Sequence, residues 1–217
     1  MKRLLIITGP TSGLGKALSR IAIEENREIL FLGRDLKEKL PASFLSGENS
    51  YIEIDFGNPS DCISLFSSTD FSNYSDIDLV LNAGTIMPIA QILELNFEEF
   101  ATCININFLS QVALIKSLLS NLDLTRINLG IVNIATGATT RIIDRWSSYS
   151  ISKAALAMFL THLEVERPEI EIQNFEPGVF ESKIQEQIRY SLGQPQVESN
   201  LPSAEKVAQN LLKKLHR

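Results

Sequence analysis

Tyr149 and Lys153 stand four residues apart in Tyr-Ser-Ile-Ser-Lys. On a helix that spacing puts both side chains on one face. A phenol with a pKa of about 10 is a poor proton shuttle at neutral pH. A neighbouring ammonium favours the phenolate and brings the group towards the range of general acid–base work. The spacing alone is weakly specific, so the context decides. Thirteen residues upstream of the phenol, the apolar run Gly130–Ile134 ends in Ala135-Thr136. A hydroxyl there can donate a hydrogen bond to a substrate oxygen as negative charge develops on it.

A second cluster lies near the start, Thr8-Gly9-Pro10-Thr11-Ser12-Gly13-Leu14-Gly15, between an apolar run and a helical pattern. A strand-to-helix turn with glycines lets the backbone approach a pyrophosphate and aims the free N–H groups of the helix start at it. A tight turn that binds nothing is the alternative. The next apolar run ends in Phe31-Leu32-Gly33-Arg34. An acidic residue here would suit a ribose 2′-hydroxyl, whereas a basic one suits a 2′-phosphate. Gly33 is expected to leave room, and Arg34 offers a planar charged fork. NADP(H) is therefore favoured over NAD(H), which stays open. Arg34 paired with its neighbour Asp35 as a solvated loop residue is the plainer reading.

These residues need elements to hold them. Strands are predicted at Leu4–Thr8, Ile29–Leu32, Tyr51–Ile54, Leu79–Leu81, Ile131–Ile134 and Ile170–Phe175, and helices at Leu14–Glu25, Pro59–Ser67, Phe97–Leu122, Tyr149–Glu166 and Ser203–Leu215. This alternation describes βαβ units. The expected fold is α/β: a single Rossmann-type domain over residues 1–217, with a doubly wound parallel sheet of about six strands and helices on both faces. Asn58 before Pro59, and Asn96 three residues before Glu99, read as helix caps. Leu192–Pro202, rich in Gln, Pro, Ser and Asn, reads as a surface loop.

With 217 residues, 44% hydrophobic and 21% charged, the chain has an ordinary globular composition. Its net charge of −6, with no basic block, argues against general nucleic-acid binding. No apolar run is expected to span a membrane, and the short run after Met-Lys-Arg reads as a buried first strand rather than a signal segment. Cys62 and Cys103 are isolated in sequence, giving neither a disulfide framework nor a metal site. Free thiols in a reducing cytoplasm are the expectation. His162 and His216 are likewise isolated and are read as packing or surface residues.

In this order the motifs resemble the short-chain dehydrogenase/reductase family over nearly the whole chain. Thr8-Gly9 through Gly15 is similar to its Thr-Gly-x-x-x-Gly-x-Gly cofactor motif, with Thr11, Ser12 and Leu14 inside it. Asp55, followed by Phe56, resembles the residue that seats the adenine, and Asn82-Ala83-Gly84 resembles the family's Asn-Ala-Gly. Asn107 falls where the family carries an Asn whose carbonyl holds a water linking the Lys to solvent. Thr136 takes the place of the usual Ser, and Tyr149 and Lys153 match Tyr-x-x-x-Lys. Pro177-Gly178-Val179 with Ser182 resembles the segment that holds the nicotinamide end. Trp146-Ser147-Ser148-Tyr149 through Ala157-Met158-Phe159 is similar to the sepiapterin reductase and benzil reductase branch.

The resemblance implies an NADP(H)-dependent reduction of a small ketone or diketone. Tyr149 would give the proton, Thr136 orient the oxygen, and Lys153 hold the nicotinamide ribose. The implied substrate pocket comprises Gly137, Ala138, Trp146, Val179, Phe180 and Ile184, with Arg141 and Arg145 in the same loop. Two other readings stay open: a dinucleotide sensor without turnover, and an NAD-linked alcohol dehydrogenase. Two departures are evident. The β-branched Thr136 is stiffer than Ser and narrows or re-aims the site. The family commonly adds a further strand after the last helix. Without it, Ile170–Phe175 is expected at the sheet edge, where Glu169, Glu171 and Gln173 would discourage edge pairing. A homodimer through the 97–122 and 149–166 helices would still be open.

Overall fold

The computed structural model describes residues 2–194 and 200–215. His216 and the part of the 192–202 loop at 195–199 lie outside the described residues. Six strands form one parallel sheet in the order β3-β2-β1-β4-β5-β6. They are β1 (Lys2–Thr8), β2 (Glu28–Gly33), β3 (Ser50–Glu53), β4 (Tyr74–Leu81), β5 (Asn128–Ile134) and β6 (Glu171–Phe175). Central strands buried on both faces read as continuous apolar runs, and β1 is buried from Leu4 to Thr8. The edge strands β3 and β6 are partly exposed. As the alternation of Glu171, Gln173 and Ile172 suggests, β6 is an edge strand.

Successive side chains of a strand point to opposite faces. In β1, Leu5 and Ile7 face one core, packed with Leu18 of α1 (Gly13–Glu24) and Leu211 of α7 (Ala204–Leu212). Leu4 and Ile6 face the other, with Leu114 of α4 (Ser110–Leu119) and Leu156 and Leu160 of α5 (Ser147–Glu166). The sheet is thus covered on both sides. The chain reverses direction across the sheet between β1 and β4, and ligands of such folds bind at the strand ends beside that switch point.

The predicted helix at 97–122 is α3 (Phe97–Ile104), one π-turn (Asn105–Leu109) and α4. Asn96 caps its start, accepting from the N–H groups of Glu98 and Glu99 at 2.9 and 3.0 Å. Phe97–Leu119 does reach the length and mean hydropathy of a membrane span. Its inward side chains, Leu114, Ile115 and Leu118, belong to the core, and Asn107, Ser110 and Gln111 are buried polar groups on it, so it is a core helix. The helix predicted at 59–67 is only a 3-10 turn at Pro59–Cys62. Asn58 does not cap it, because its amide donates to the Asp61 carboxylate at 2.7 Å instead. Two helices were not predicted: α2 (Leu36–Lys39) and α6 (Lys183–Ser191).

Candidate active site

The glycine turn is built at backbone level. Gly9 and Gly13 hold φ of +66° and +51°, which L side chains rarely adopt. A Cβ on Gly15 would stand 2.2 Å from the Gly9 carbonyl oxygen and 2.5 Å from the Asn82 amide nitrogen. Ser12 precedes α1 in extended conformation and makes no side-chain cap bond, which leaves the first N–H groups of the helix to a ligand. Ser182 stands over Gly13, its Cβ 3.8 Å from where a Gly13 Cβ would be. The turn fits a dinucleotide pyrophosphate, since glycines hold the positive-φ and close-packed positions of a strand-to-helix turn and the helix start has no side-chain cap.

Asn82 and Thr8 fasten this turn to β4. Asn82 donates from its amide to the carbonyls of Thr8 and Gly9 at 3.0 and 2.9 Å. The Thr8 hydroxyl accepts from the N–H groups of Asn82 and Ala83 at 2.9 and 2.8 Å. Gly84 lies against Asn107, whose Oδ1 is 3.2 Å from a Cβ placed there.

At the ends of β2 and β3, Arg34 and Asp55 pair at 3.6 Å, both largely exposed. The expected partner of Arg34 in the plainer reading, Asp35, is engaged by Lys39 instead. The space above Gly33 is not open: Leu36 and Pro10 come within 3.2 and 3.5 Å of a Cβ built there. Phe56 points its ring into the core, so only its backbone faces this end.

Thr136, Tyr149 and Lys153 meet at the carboxyl end of β5. The Thr136 hydroxyl acts on the neighbouring Tyr149 phenol, favouring its ionised form, and accepts from the Ala138 N–H at 3.3 Å. Lys153 donates from Nζ to the Ile134 carbonyl at 2.8 Å. The Tyr149 phenol is held above its ordinary pKa because burial opposes the phenolate, and the neighbouring Thr136 hydroxyl offsets only part of this. This corrects the expectation that the lysine brings the phenol down. Lys153 is itself buried, which pushes its pKa down to about 8.

Asn107 sits within the π-turn, a feature that recurs at functional sites. Its Oδ1 accepts from the Thr85 N–H at 2.8 Å, and its Nδ2 donates to the Thr85 carbonyl at 2.8 Å and to Ser152 Oγ at 2.9 Å. Ser152 in turn donates to the Tyr149 carbonyl at 2.8 Å. The Cys103 thiol lies 3.3 Å from Asn107 Nδ2 and 3.9 Å from Ser152 Oγ. Sequence reasoning missed Thr85, Cys103 and Ser152 as parts of this network. The available signals were modest: Cys103 is one helical turn before Asn107, and Ser152 adjoins Lys153.

Around the phenol, Ile86, Ala138 and Tyr149 form a small cluster against which Trp146, Ile184 and Ile188 pack. The Trp146 and Tyr149 rings meet edge-on at 6.0 Å between centroids. Other pocket candidates lie elsewhere. Phe180 is partly buried and packs against the core on the α1–α7 side of the sheet, not with the cluster around the phenol. Gly137 lies under the Arg141 guanidinium, which comes within 2.5 Å of a Cβ placed on it. Pro177 is half-buried, and Gly178 (φ +70°) and Val179 (57% exposed) lie at the surface. Ser182 caps α6 by accepting from the Gln185 N–H at 3.3 Å.

Residues 3–192 match the family model described as short chain dehydrogenase. The chain belongs to that family. Membership makes it an oxidoreductase of the dehydrogenase/reductase type. This dehydrogenase is similar to the benzil reductase ((S)-benzoin forming) of Bacillus subtilis, 30% identical over 192 residues that cover 87% of this chain and 79% of the relative. It is also similar to the enzyme of that name from Bacillus cereus, 28% identical over 197 residues (86% and 79%). An alcohol dehydrogenase from the archaeon Thermococcus sibiricus, solved with 5-hydroxy-NADP, shares the fold with a TM-score of 0.82. It is 19% identical to this chain, and the match covers 100% of this chain and 92% of that one.

Proposed function

We propose that this dehydrogenase reduces a small apolar ketone or diketone with NADPH. The observation that carries the reading is the convergence of Thr136, Tyr149 and Lys153 at the end of β5, in a chain whose glycine turn follows β1. A bound dihydronicotinamide supplies a hydride to the carbonyl carbon. Gly9, Thr11, Ser12, Gly13, Leu14 and Gly15 would hold its pyrophosphate. Arg34, Asp55 and the Phe56 backbone would take the adenosine end, with Asn82, Ala83 and Gly84 behind it. Lys153, Pro177, Gly178, Val179 and Ser182 would take the nicotinamide riboside.

Thr136 donates its hydroxyl hydrogen to the substrate oxygen and fixes its position. Tyr149 then protonates that oxygen. Even with its raised pKa, a phenol is a far stronger acid than the alcohol being formed, so this transfer runs downhill. Buried Lys153, which titrates near 8, is positively charged at neutral pH and would offer that charge to a bound ribose. Asn107 acts by position: it ties Thr85 to Ser152 and so steadies the turn of α5 that carries both groups. A water on its main-chain carbonyl would link Lys153 to solvent. Ala138, Trp146 and Ile184 give the substrate side an apolar wall, which favours an aromatic or apolar carbonyl, as does the likeness to the two benzil reductases.

NADPH oxidation with a panel of ketones and diketones, benzil included, tests the reading. Turnover of apolar diketones is expected, and tight NADPH binding with no turnover of any carbonyl would turn the assignment to a sensor. For the cofactor, Arg34→Ala is expected to weaken NADPH and leave NADH unchanged. Unchanged NADPH affinity would defeat the preference. Pairing of two copies through the 97–122 and 149–166 helices is supported by exposed Ile151, Met158 and Val165, spaced by seven on α5. Light scattering that finds only monomer would remove it.

A further inference from the structure

The helix at 97–119 widens by one residue at 105–109, where the Ser110 N–H donates to the Asn105 carbonyl five residues back. In an α-helix that N–H would serve the Ile106 carbonyl, four residues back. The Ile106 carbonyl has a side-chain partner instead: Gln111 Nε2 donates to it at 2.9 Å. Gln111 is 1% exposed. It stands at helical spacing from Leu114, Ile115 and Leu118, which belong to the core. An apolar side chain would ordinarily head such a stripe. Burying an amide there is costly unless it is bonded, and Gln111 Oε1 has no partner among the described residues. What the amide supplies is a donor for the carbonyl that the wide turn frees.

The place of this turn decides where Asn107 points. Asn107 lies at its centre and is bonded through its side chain to Thr85 and Ser152, and Ser152 donates to the Tyr149 carbonyl. One residue more or less rotates the rest of a helix by about 100°. A wide turn displaced along the chain would therefore swing Asn107 away from Ser152. Both ends of the turn are also tied to the segment after β3. Asn105 Nδ2 donates to the Gly57 carbonyl at 3.1 Å, and Ser110 Oγ to the Phe56 carbonyl at 2.7 Å. Those two bonds dock the helix, whereas the Gln111 bond answers the widening itself.

We propose that Gln111 is a positioning residue for proton transfer from Tyr149. By holding the Ile106 carbonyl it fixes the wide turn at 105–109 and keeps Asn107 on Thr85 and Ser152. It thereby sets the turn of α5 that carries the phenol. The proposal rests on the carbonyl-reductase reading for its chemistry.

Two variants test it. Gln111→Leu removes the donor at nearly the same size, and Gln111→Glu donates only while its carboxyl is protonated. Three quantities are compared with the wild type: NADPH affinity, the single-turnover rate of NADPH oxidation on a diketone, and hydrogen exchange of the Thr85 amide, which donates to Asn107 Oδ1. In Gln111→Leu the rate should fall about tenfold, with NADPH affinity within about twofold. The Thr85 amide should exchange about tenfold faster, while that of Leu79 in β4 keeps its wild-type rate. In Gln111→Glu the rate relative to the wild type should fall as the new carboxyl ionises with rising pH, whereas the ratio for Gln111→Leu should be flat. If Gln111→Leu fails to fold, Gln111→Glu carries the same readouts across its own titration. An unchanged rate in Gln111→Leu overturns the proposal. So does equally faster exchange at Leu79, which would make Gln111 a general stabiliser. A wild type that reduces no carbonyl defeats the carbonyl-reductase reading instead, and Thr85 exchange, which needs no turnover, then supports or overturns the placement of Asn107 on its own.

Discussion

The two sides of the cleft are held in different ways. On the β1–β4 side, the Asn82 amide, the Thr8 hydroxyl and three glycines lock the chain to itself through short hydrogen bonds and close backbone contacts. On the β5–β6 side, the loop at 137–146 and the segment 177–193, which includes α6, present exposed Ile142, Val179, Tyr190 and Leu192, and Gly178 and Gly193 have open space where a Cβ would sit. One side is a fixed cradle with no tolerance for added atoms. The other is shaped by side chains and tolerates change. A family that keeps one cofactor chemistry and varies its substrates needs that division of labour.

Substitutions on the two sides sharpen the contrast. Gly15→Ala should be the most damaging, because its Cβ would meet backbone at 2.2 Å. It should cost about 3 kcal/mol in urea unfolding and remove measurable NADPH binding. Near-normal affinity would mean that the turn is not the cradle. Asn107→Ala should cost about 2 kcal/mol by leaving Thr85 and Ser152 without their shared partner. A loss below the error of denaturant titration would mean that the network is not structural.

The buried pair gives the pH dependence. Lys153 in the folded chain titrates at about 8, below its ordinary 10.5. Between these values the unfolded chain binds the extra proton, so stability rises with pH, by up to about 1.4 kcal/mol per unit. Tyr149 acts in the opposite sense: its raised pKa makes stability fall above about 10. Unfolding titrations at pH 8, 9 and 10 should show the rise in the wild type and a smaller one in Lys153→Met; equal slopes would contradict the burial of an ionisable lysine. Gly178→Ala should have the smallest effect, about 1 kcal/mol from its positive φ alone. A cost equal to that of Gly15→Ala would erase the distinction between the two sides.

The same division explains what was legible in the sequence. The cradle was readable because glycines at a strand-to-helix turn answer a backbone requirement. The inner strands were readable as apolar runs, but the start of β4 was hidden: Tyr74-Ser75-Asp76-Ile77-Asp78 is polar, and its acids pair with Arg3 and Arg27 at the rim of the sheet. The π-turn at Asn107 was not read because one extra residue shifts the apolar stripe by about 100°, no more than the width of the stripe itself. α6 was missed because its apolar residues are few, although Ser182 and Gln185 were a cap signal. The side on which Phe180 packs was not readable, because the direction of a side chain after Pro-Gly depends on tertiary packing, here against the α1–α7 core.

Tyr149→Phe tests the central claim most directly, with NADPH affinity and the single-turnover rate of NADPH oxidation on a diketone measured together. The account predicts NADPH affinity within about threefold of the wild type and a hydride-transfer step slower by roughly 10²–10⁴-fold. Equal single-turnover rates in the two proteins would contradict it.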